Sequence, residues 1–304
     1  MVRNEQAHMP SACPACGNKS PLFLSTRDMN REASKGSFDY YRCFSCRLIF
    51  LSPVPGNLGE YYPKQYYAVP SSLEKLAKEA EKERYKIDII QHFAQKGRLL
   101  EIGPSYGLFT YLAKQAGFDV DVIEMDERCC RFIKDTIGAR ATNTSDISGA
   151  LNKAGPYDVI ALWQVIEHLP DPWPVLDSIA KSISPGGILA ISAPNPDAFQ
   201  FRVLGRLWTH VDAPRHTELI PMELISKRME AHGFKTVLAT TTDQGSLGWN
   251  SFGWAVSLGN LSSSNFLKRV LQMIGHALSK ALSPIESRNG SGSAYTIVLQ
   301  KEGK

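Results

Sequence analysis

The spacing of apolar residues changes repeatedly along this chain of 304 residues, and each change indicates a new element. Between residues 72 and 95 a partial apolar stripe at helical spacing runs through a highly charged segment. Beyond it, short apolar runs predict strands at residues 99–102, 119–123, 139–142, 157–163, 188–192, 235–241 and 294–300. Helical patterns lie between them at residues 108–116, 127–137, 174–182 and 221–232. This alternation predicts an α/β fold with a mostly parallel, doubly wound sheet.

A different pattern occupies residues 244–293, just before the last predicted strand. One helical face there is apolar and comprises Phe266, Leu267, Val270, Leu271, Met273, Ile274, Ala277, Leu278, Ala281 and Leu282. The opposite face comprises Lys268, Arg269, Gln272, His276 and Lys280. We expect this helix to cover the core of its own protein, and peripheral contact with a membrane through residues 264–283 is the alternative. Trp249, Phe252 and Trp254, just upstream, are expected to wall an apolar site or to insert into lipid.

Composition is that of an ordinary globular protein, with 43% hydrophobic and 21% charged residues and a net charge of +4. This excludes a disordered tail, a collagen and a coiled-coil rod. The N-terminus lacks the apolar segment of a secretory signal, so we expect a cytoplasmic protein in a reducing compartment. The length indicates two domains, or one large domain with an appendage.

Four of the six cysteines form two pairs with identical internal spacing. Cys13 and Cys16 enclose two residues, as do Cys43 and Cys46, and 26 residues lie between the pairs. Two such turns supply the tetrahedral sulfur set of a structural zinc ion, and Gly17 suits the turn that follows the second ligand. A redox pair is less favoured, because no strand-then-helix pattern surrounds either motif. We therefore expect a closed Zn²⁺ site in a zinc-ribbon-like module.

The turn after the first predicted strand of the sheet carries the most informative small residues. Gly103, Ser105 and Gly107 follow that strand, and Glu124 ends the next strand 21 residues after Gly103. Glycines in this position let a ligand approach the backbone, and an acid at that distance can accept hydrogen bonds from ribose hydroxyls. The turn lacks the glycine pattern of a dinucleotide pyrophosphate site.

At this point the chain resembles the class I S-adenosylmethionine-dependent methyltransferases. Residues 100–107 are similar to their first motif, residues 156–172 to their fourth-strand motif and residues 184–187 to the motif before strand five. The resemblance covers about residues 97–243 and the last strand, and it implies a Rossmann-like sheet of seven strands. The front of the chain also resembles sugar and secondary-metabolite methyltransferases with a four-cysteine module, and the core is similar to ubiquinone-pathway O-methyltransferases.

The resemblance implies roles for individual residues. Glu101, Gly103, Ser105 and Gly107 would line the methionine end of S-adenosylmethionine, Glu124 would bind the ribose and Met125 would pack on the adenine. Asp146 would accept from the adenine amino group, although a loop aspartate is as often a helix cap. Trp163 and Gln164 would lie where cofactor and substrate meet.

Methyl transfer to a hydroxyl or a carbon acid benefits from a base. His168 is the first candidate, with Glu167 beside it, and His216 and Arg215 are expected at the pocket rim. Some quinone-pathway relatives bind a divalent metal through an acid-x-x-Glu-His set. Gln164 stands in the first position here, so we expect no metal ion at this site.

These patterns predict a module at residues 1–57, a tyrosine-rich linker and helix at residues 58–97, and a methyltransferase domain at residues 98–304 that contains the 244–293 insertion. The leading hypothesis is an enzyme that methylates oxygen or carbon of a sugar, lipid-linked or phenolic small molecule. An RNA methyltransferase is an alternative, but residues 13–50 carry a net charge of only +3 with no dense basic stripe, which argues against a nucleic-acid partner. A binding module without turnover is the third hypothesis. The oligomeric state is not indicated.

Overall fold

The N-terminal part of the chain consists of two small antiparallel sheets. The computed structural model describes residues 9–62 and 67–303, so the predicted linker residues 63–66 fall outside the described residues. The strands are β1 (Ser11–Ala12), β2 (Lys19–Ser20), β3 (Leu22–Arg27), β4 (Ser37–Arg42) and β5 (Ile49–Leu51). β1 pairs with β2, and β4 lies between β3 and β5. The two cysteine pairs lie in turns, one between β1 and β2 and the other between β4 and β5.

From residue 73 onward, helices and strands alternate as the sequence predicts. They are α1 (Leu73–Ala80), α2 (Arg84–Phe93), β6 (Arg98–Ile102), α3 (Leu108–Gln115), β7 (Asp119–Glu124), α4 (Glu127–Phe132), β8 (Arg140–Asn143), α5 (Ile147–Lys153), β9 (Tyr157–Trp163), α6 (Pro172–Ser182), β10 (Ile183–Pro194), α7 (Phe199–Leu204), β11 (Glu218–Leu219), α8 (Met222–Glu230), β12 (Phe234–Thr240), α9 (Gln244–Gly259), α10 (Asn265–Glu286) and β13 (Ala294–Lys301). The predicted α/β class is confirmed, and α9 is a helix that the sequence analysis did not anticipate.

The main sheet has seven strands in the order β12-β13-β10-β9-β6-β7-β8. The strands from β10 to β8 in that order pair in parallel, and β13 runs antiparallel between β10 and β12. Strand order reverses between β6 and β9, where the chain first proceeds to β7 and β8 and later returns to the other side of β6. Ligands bind outside the carboxyl ends of strands at such a switch point.

Alternating residues of the central strands supply both faces of the core. Leu100 and Ile102 belong to the apolar cluster that contains α6 and α8, whereas Leu99 belongs to the cluster on the opposite face with α2 and α3. Successive side chains of a strand point to opposite faces of the sheet, and in these strands both faces are buried. Tyr41 and Phe50 of the N-terminal sheet pack into the first of these clusters. The N-terminal module therefore shares a core with one face of the main sheet.

A second connection joins the module to the rest of the chain through the backbone. β11 pairs antiparallel with β5, with Glu218 opposite Phe50 and Leu219 opposite Ile49. Two residues from the second half of the chain thus complete the sheet β11-β5-β4-β3. The domain boundary at residue 57 stays a prediction.

Helix α10 packs against α9 through its small and polar residues. The buried residues of α10 are Gly275, Ser279 and Glu286. Phe266 is 78% exposed and Met273 is 71% exposed, and other apolar residues of that face, Leu267 and Ile274, are also exposed. The expectation that this apolar face covers the protein's own core is therefore wrong for these four residues. Among the helices of the described residues, none is long and apolar enough to cross a membrane.

Candidate functional site

A cavity of about 1090 Å³ lies at the carboxyl ends of β6, β7 and β9. This volume is at the upper end of what a small-molecule site occupies, so it has space for a cofactor together with an acceptor. The predicted site residues in its wall are Gly103, Ser105, Glu124, Met125, Trp163, Gln164, Glu167, His168 and His216. The cavity brings nine of the twelve predicted binding and catalytic residues to one place.

The glycine turn after β6 forms one side of the cavity with left-handed backbone. Gly103 has φ of 68° and Ser105 has φ of 54°. A Cβ atom added to Gly103 would lie 2.7 Å from Cγ2 of Val165, so a larger residue would displace the wall. The Ser105 backbone N–H donates to Oε2 of Glu124 at 3.0 Å. The turn and the acid therefore form one unit, as their spacing in the sequence suggests.

Glu124 is held in place by backbone donors from both sides. In addition to Ser105, the N–H of Asp126 donates to its Oε1 atom at 2.8 Å. Burial raises the pKa of Glu124, whereas these backbone donors lower it. Met125 beside it is 65% exposed and lines the same cavity. The fixed carboxylate of Glu124 is suited to accept hydrogen bonds from a pair of ribose hydroxyls. The exposed thioether of Met125 is suited to pack against a flat base.

Three predicted cofactor residues lie outside the cavity wall. Glu101 is buried and accepts a hydrogen bond from Thr110, and burial raises its pKa to about 7. Gly107 packs tightly, since a Cβ atom there would lie 2.7 Å from Cδ1 of Ile137. Asp146 caps α5 by accepting from the Gly149 N–H at 2.8 Å, which is the helix-cap alternative considered from the sequence. These three residues shape or support the elements around the cavity.

Trp163 and Gln164 lie at the end of β9, as predicted. Gln164 has φ of 57°, and its Nε2 atom donates to Oγ of Ser192 at 3.0 Å. The ring of Trp163 lies edge-on to Phe109, with centroids 5.4 Å apart. The strand therefore ends with both side chains fixed by neighbours at the cavity.

The candidate catalytic residues form a compact group. Glu167, His168 and His216 each place one nitrogen or oxygen atom within 4.8 Å of the others. The two imidazole rings meet edge to face with centroids 4.5 Å apart. Both oxygens of Glu167 are buried without a hydrogen-bond partner within the described residues. A carboxyl group left in this state is expected to meet a ligand.

Burial holds all three groups in their uncharged forms near neutral pH. Burial and the neighbouring His216 lower the pKa of His168 to about 3. Burial lowers the pKa of His216 to about 4 and raises that of Glu167 to about 8. Two neutral imidazoles and a protonated carboxyl therefore face the cavity, and each imidazole keeps one nitrogen with a lone pair.

The hydrogen bonds of the histidines indicate their tautomers. Nδ1 of His168 lies 3.1 Å from the carbonyl oxygen of Arg215, and Nδ1 of His216 lies 2.8 Å from that of His210. A carbonyl oxygen only accepts, so each Nδ1 carries the proton and each Nε2 is the basic nitrogen. The Tyr62 hydroxyl lies 3.0 Å from Nδ1 of His168 and is a further polar group at this point.

Two imidazoles and a carboxylate are also the donor set of many divalent-metal sites. The expectation against a metal ion rested on Gln164, and the sequence did not reveal that His216 completes a set of three donors. Glu167, His168 and His216 are the residues that would hold such an ion.

A buried ion-pair network fixes the loop that carries His216. Arg215 is fully buried, and its guanidinium donates to both oxygens of Asp28 and to both oxygens of Asp212. Asn30 donates to the Thr209 carbonyl oxygen at 2.8 Å. The N-terminal module thus braces the loop of His216 directly. No pattern in the sequence indicates Asp28, which lies 187 residues from Arg215.

Comparison with known proteins identifies the family. A family model for a methyltransferase domain matches residues 69–239, more than half of the chain. The chain belongs to the class I S-adenosylmethionine-dependent methyltransferases.

Several curated relatives of this methyltransferase are ubiquinone biosynthesis O-methyltransferases. The one from Bordetella avium is 28% identical over 163 residues, which cover 48% of this chain and 67% of the relative. The one from Caulobacter vibrioides is 32% identical over 104 residues, which cover 32% of this chain and 40% of the relative. These alignments thus span from two fifths to two thirds of the relatives' length.

Solved structures show the same fold at low sequence identity. A putative sarcosine dimethylglycine methyltransferase from Galdieria sulphuraria has a TM-score of 0.52 at 15% identity and covers 77% of this chain and 92% of that chain. An S-adenosylmethionine-dependent methyltransferase from Archaeoglobus fulgidus has a TM-score of 0.51 at 18% identity, with 75% and 97% covered. These likenesses support the methyltransferase fold alone.

The residues of this methyltransferase fit S-adenosylmethionine. Gly103 lines the cavity without a side chain, and the fixed Glu124 carboxylate keeps lone pairs for hydroxyl donors. Thr144 and Ser145, which the sequence analysis did not single out, add polar atoms to the wall next to Met125.

The four predicted zinc ligands of the methyltransferase converge in the N-terminal module. The sulfurs of Cys13 and Cys46 are 3.5 Å apart, as are those of Cys16 and Cys43. Four sulfurs about 2.3 Å from one tetrahedral ion would be about 3.8 Å from each other. Gly17 has the left-handed φ of 74° that its turn was expected to need. The cluster therefore fits a structural zinc ion.

Proposed function

We propose that this protein transfers a methyl group from S-adenosylmethionine to a hydroxyl of an apolar small molecule. The observation that carries the proposal is that the glycine turn with Glu124 and the histidine cluster line one cavity. The ubiquinone O-methyltransferases among the relatives support oxygen as the methylated atom.

The cofactor side of the reaction is a matter of binding and alignment. S-adenosylmethionine supplies a methyl group already activated on a sulfonium centre, so the protein mainly positions the reactants and accepts a proton. Glu124 binds the ribose hydroxyls and Met125 packs against the base. Trp163 and Gln164 border the position where methyl group and acceptor meet.

The acceptor side has a base that is neutral at working pH. His168 has its proton on Nδ1, directed to the Arg215 carbonyl oxygen, so Nε2 takes the hydroxyl proton of the acceptor. His216 stands next to it as a second neutral imidazole. Protonated Glu167 is a hydrogen-bond donor with no partner among the residues that the structure describes, and it orients the acceptor oxygen.

The aromatic part of the cavity wall favours apolar acceptors. Trp249, Phe252 and Val256 of α9 line the cavity, together with Tyr62 and Tyr67. Aromatic and aliphatic groups in a partly enclosed cavity favour a phenolic ring or a lipid-linked chain over a strongly charged metabolite.

Label transfer tests this function directly. The purified protein is incubated with methyl-labelled S-adenosylmethionine and a cell extract, which is then separated into RNA, protein, lipid and small-metabolite fractions. Label in the lipid or metabolite fraction that His168→Ala reduces at least 100-fold supports the proposal. Label in RNA would overturn it in favour of an RNA substrate. Repetition with a chelator and with added magnesium shows whether the His168 cluster works through a metal ion.

Cofactor binding is tested separately by calorimetry. Gly103→Arg fills the space next to Val165 and is expected to abolish affinity for S-adenosylmethionine. Gly56→Ala is the control, since nothing lies within 4 Å of an added Cβ atom there. Equal affinity of both variants would refute the cofactor site, even if methyl transfer were observed.

A further inference from the structure

Helix α10 exposes large apolar side chains to solvent, while its most buried residues are Gly275, Ser279 and Glu286. We call the outward residues Phe266, Leu267, Met273 and Ile274 the docking face, all of which are exposed. In a helix that stabilises its own fold the apolar residues face inward. Leu271, Leu278 and Leu282 are half-buried in this way, but the four residues of the docking face stay exposed, so the folding of the chain does not account for that face.

The packing of α10 on α9 fixes this orientation. A Cβ atom added to Gly275 would lie 2.6 Å from Cα of Ala255, so the two helices approach closely at this point. Glu286 is fully buried and accepts from the indole Nε1 of Trp254 at 3.0 Å. Rotation of α10 to bury the docking face would move a carboxyl group and small residues out of fitted positions and would break this hydrogen bond.

The charges around the docking face all have the same sign. Residues 244–285 contain Lys268, Arg269 and Lys280 and no aspartate or glutamate. At about 100° per residue, Arg269 and Lys280 lie within about 20° of each other around the helix, on one border of the docking face. Both are exposed. An apolar strip with cations along one border is complementary to a surface that is anionic outside and apolar beneath.

We propose that the docking face of α10 binds an anionic lipid surface, with the helix in the interface plane. Apolar side chains enter the acyl boundary while the bordering lysine and arginine meet lipid phosphates. A symmetric dimer through this face would set the same cations against one another, which disfavours a second copy as the occupant.

The hairpin that carries the docking face also borders the cavity. Phe252 of α9 lines the cavity and is 44% exposed. An acceptor dissolved in the bilayer would therefore meet the cavity next to the attachment surface. This consequence rests on the proposed function, whereas the docking of α10 does not.

The test is sedimentation of the full-length protein with vesicles. Vesicles of phosphatidylcholine alone are compared with vesicles that also contain phosphatidylglycerol, at low and high salt. We expect partition into the anionic vesicles, at least tenfold weaker in Phe266→Ser/Met273→Ser and in Arg269→Glu/Lys280→Glu. The controls are Val203→Ser, an exposed apolar residue of α7, and Lys181→Glu/Lys227→Glu, two exposed lysines elsewhere.

Binding of S-adenosylmethionine confirms that each variant is folded, so loss of partition is not loss of structure. No partition of the wild type, or equal loss in variants and controls, would overturn the proposal. A dimer in light scattering that Phe266→Ser/Met273→Ser dissociates, without any partition, would instead assign the face to a second copy.

Discussion

The N-terminal module and the α9–α10 hairpin are both additions to the methyltransferase sheet. They depart from the usual distribution of charged and apolar residues in opposite ways. The N-terminal module buries charge, since Arg215 and Asp28 form a fully enclosed ion pair between the module and the loop that carries His216. The α9–α10 hairpin exposes apolar side chains such as Phe266 and Met273. The buried pair is satisfied within the chain, so the module is a fixed part of the site. The apolar face has no counterpart in the described chain, which points to a partner outside it.

We expect the largest loss of stability when one of the predicted zinc ligands of the module is replaced. Cys43→Ala removes a buried sulfur from the cluster, and structural zinc contributes about 10 kcal/mol or more in zinc-finger peptides. We expect one zinc per chain in the wild type and much less in the variant, measured by plasma emission, with loss of the cooperative unfolding of the module. Cys129→Ala, outside the cluster, is the control. A variant that keeps its zinc would contradict the four-sulfur site.

Loss of the buried Asp28–Arg215 ion pair should have the next largest effect on stability. Asp28→Ala leaves the buried Arg215 with Asp212 alone, and breaking a buried pair costs about 3 kcal/mol or more. We expect this loss in the free energy of unfolding by urea, together with a lower kcat because the loop of His216 is no longer braced. Asp197→Ala breaks the more exposed pair with Arg47 and should cost under about 1 kcal/mol. Equal losses in the two variants would mean that burial does not make the Asp28–Arg215 pair more important for stability than an exposed pair.

The free energy of unfolding should also depend on pH through β11, the strand that joins the N-terminal module to the rest of the chain. Burial raises the pKa of Glu218 in β11 to about 8, against an ordinary value of 4.5. Below pH 4.5 the carboxyl is neutral in both states and its burial costs nothing through ionisation. Between pH 4.5 and 8 only the unfolded chain releases the proton, so stability falls as pH rises, by up to about 1.4 kcal/mol per unit.

Glu218→Gln removes this contribution and should flatten the decline in the free energy of unfolding over that range. Some slope is expected to persist, because burial raises the pKa of Glu167 to about 8 in the same way. Unfolding curves at several pH values measure the difference between wild type and variant. An unchanged slope would mean that Glu218 is hydrated in solution.

The smallest effect on stability is expected at the docking face. Met273→Ser replaces a side chain that is 71% exposed, so the free energy of unfolding should change by less than about 0.5 kcal/mol. Gly275→Val, two residues along, meets the Ala255 backbone and should destabilise the hairpin clearly. If Met273→Ser were as destabilising as Gly275→Val, the docking face would be part of the core after all.

Local patterns predicted most of the sheet, because strands and helices differ in the period of their apolar residues. The turn at Gly103 and the acid at Glu124 were found for the same reason, since both follow predicted strands at a fixed distance. Trp163 and His168 were predictable because they lie in residues 156–172, which resemble the fourth-strand motif of the family. The zinc ligands were found because the spacing inside each pair is itself the signal.

Contacts between distant segments were not predictable in this way. Asp28 and Arg215 are ordinary charged residues in the sequence, and their pairing follows only from the fold. Periodicity located the apolar face of α10 but did not indicate which side of the helix meets the protein. Gly275 and Ser279, small residues on the opposite side, are the sequence signal of close helix packing there.

The position of β13 has a consequence for how the protein is made on the ribosome. β13 lies between β10 and β12, so both neighbours keep an unpaired edge until residues 294–301 have been synthesised. The nascent chain therefore holds open strand edges through the synthesis of α9 and α10, a state that invites wrong pairing or a chaperone. The cysteine cluster, complete at residue 46, is able to assemble long before the sheet closes.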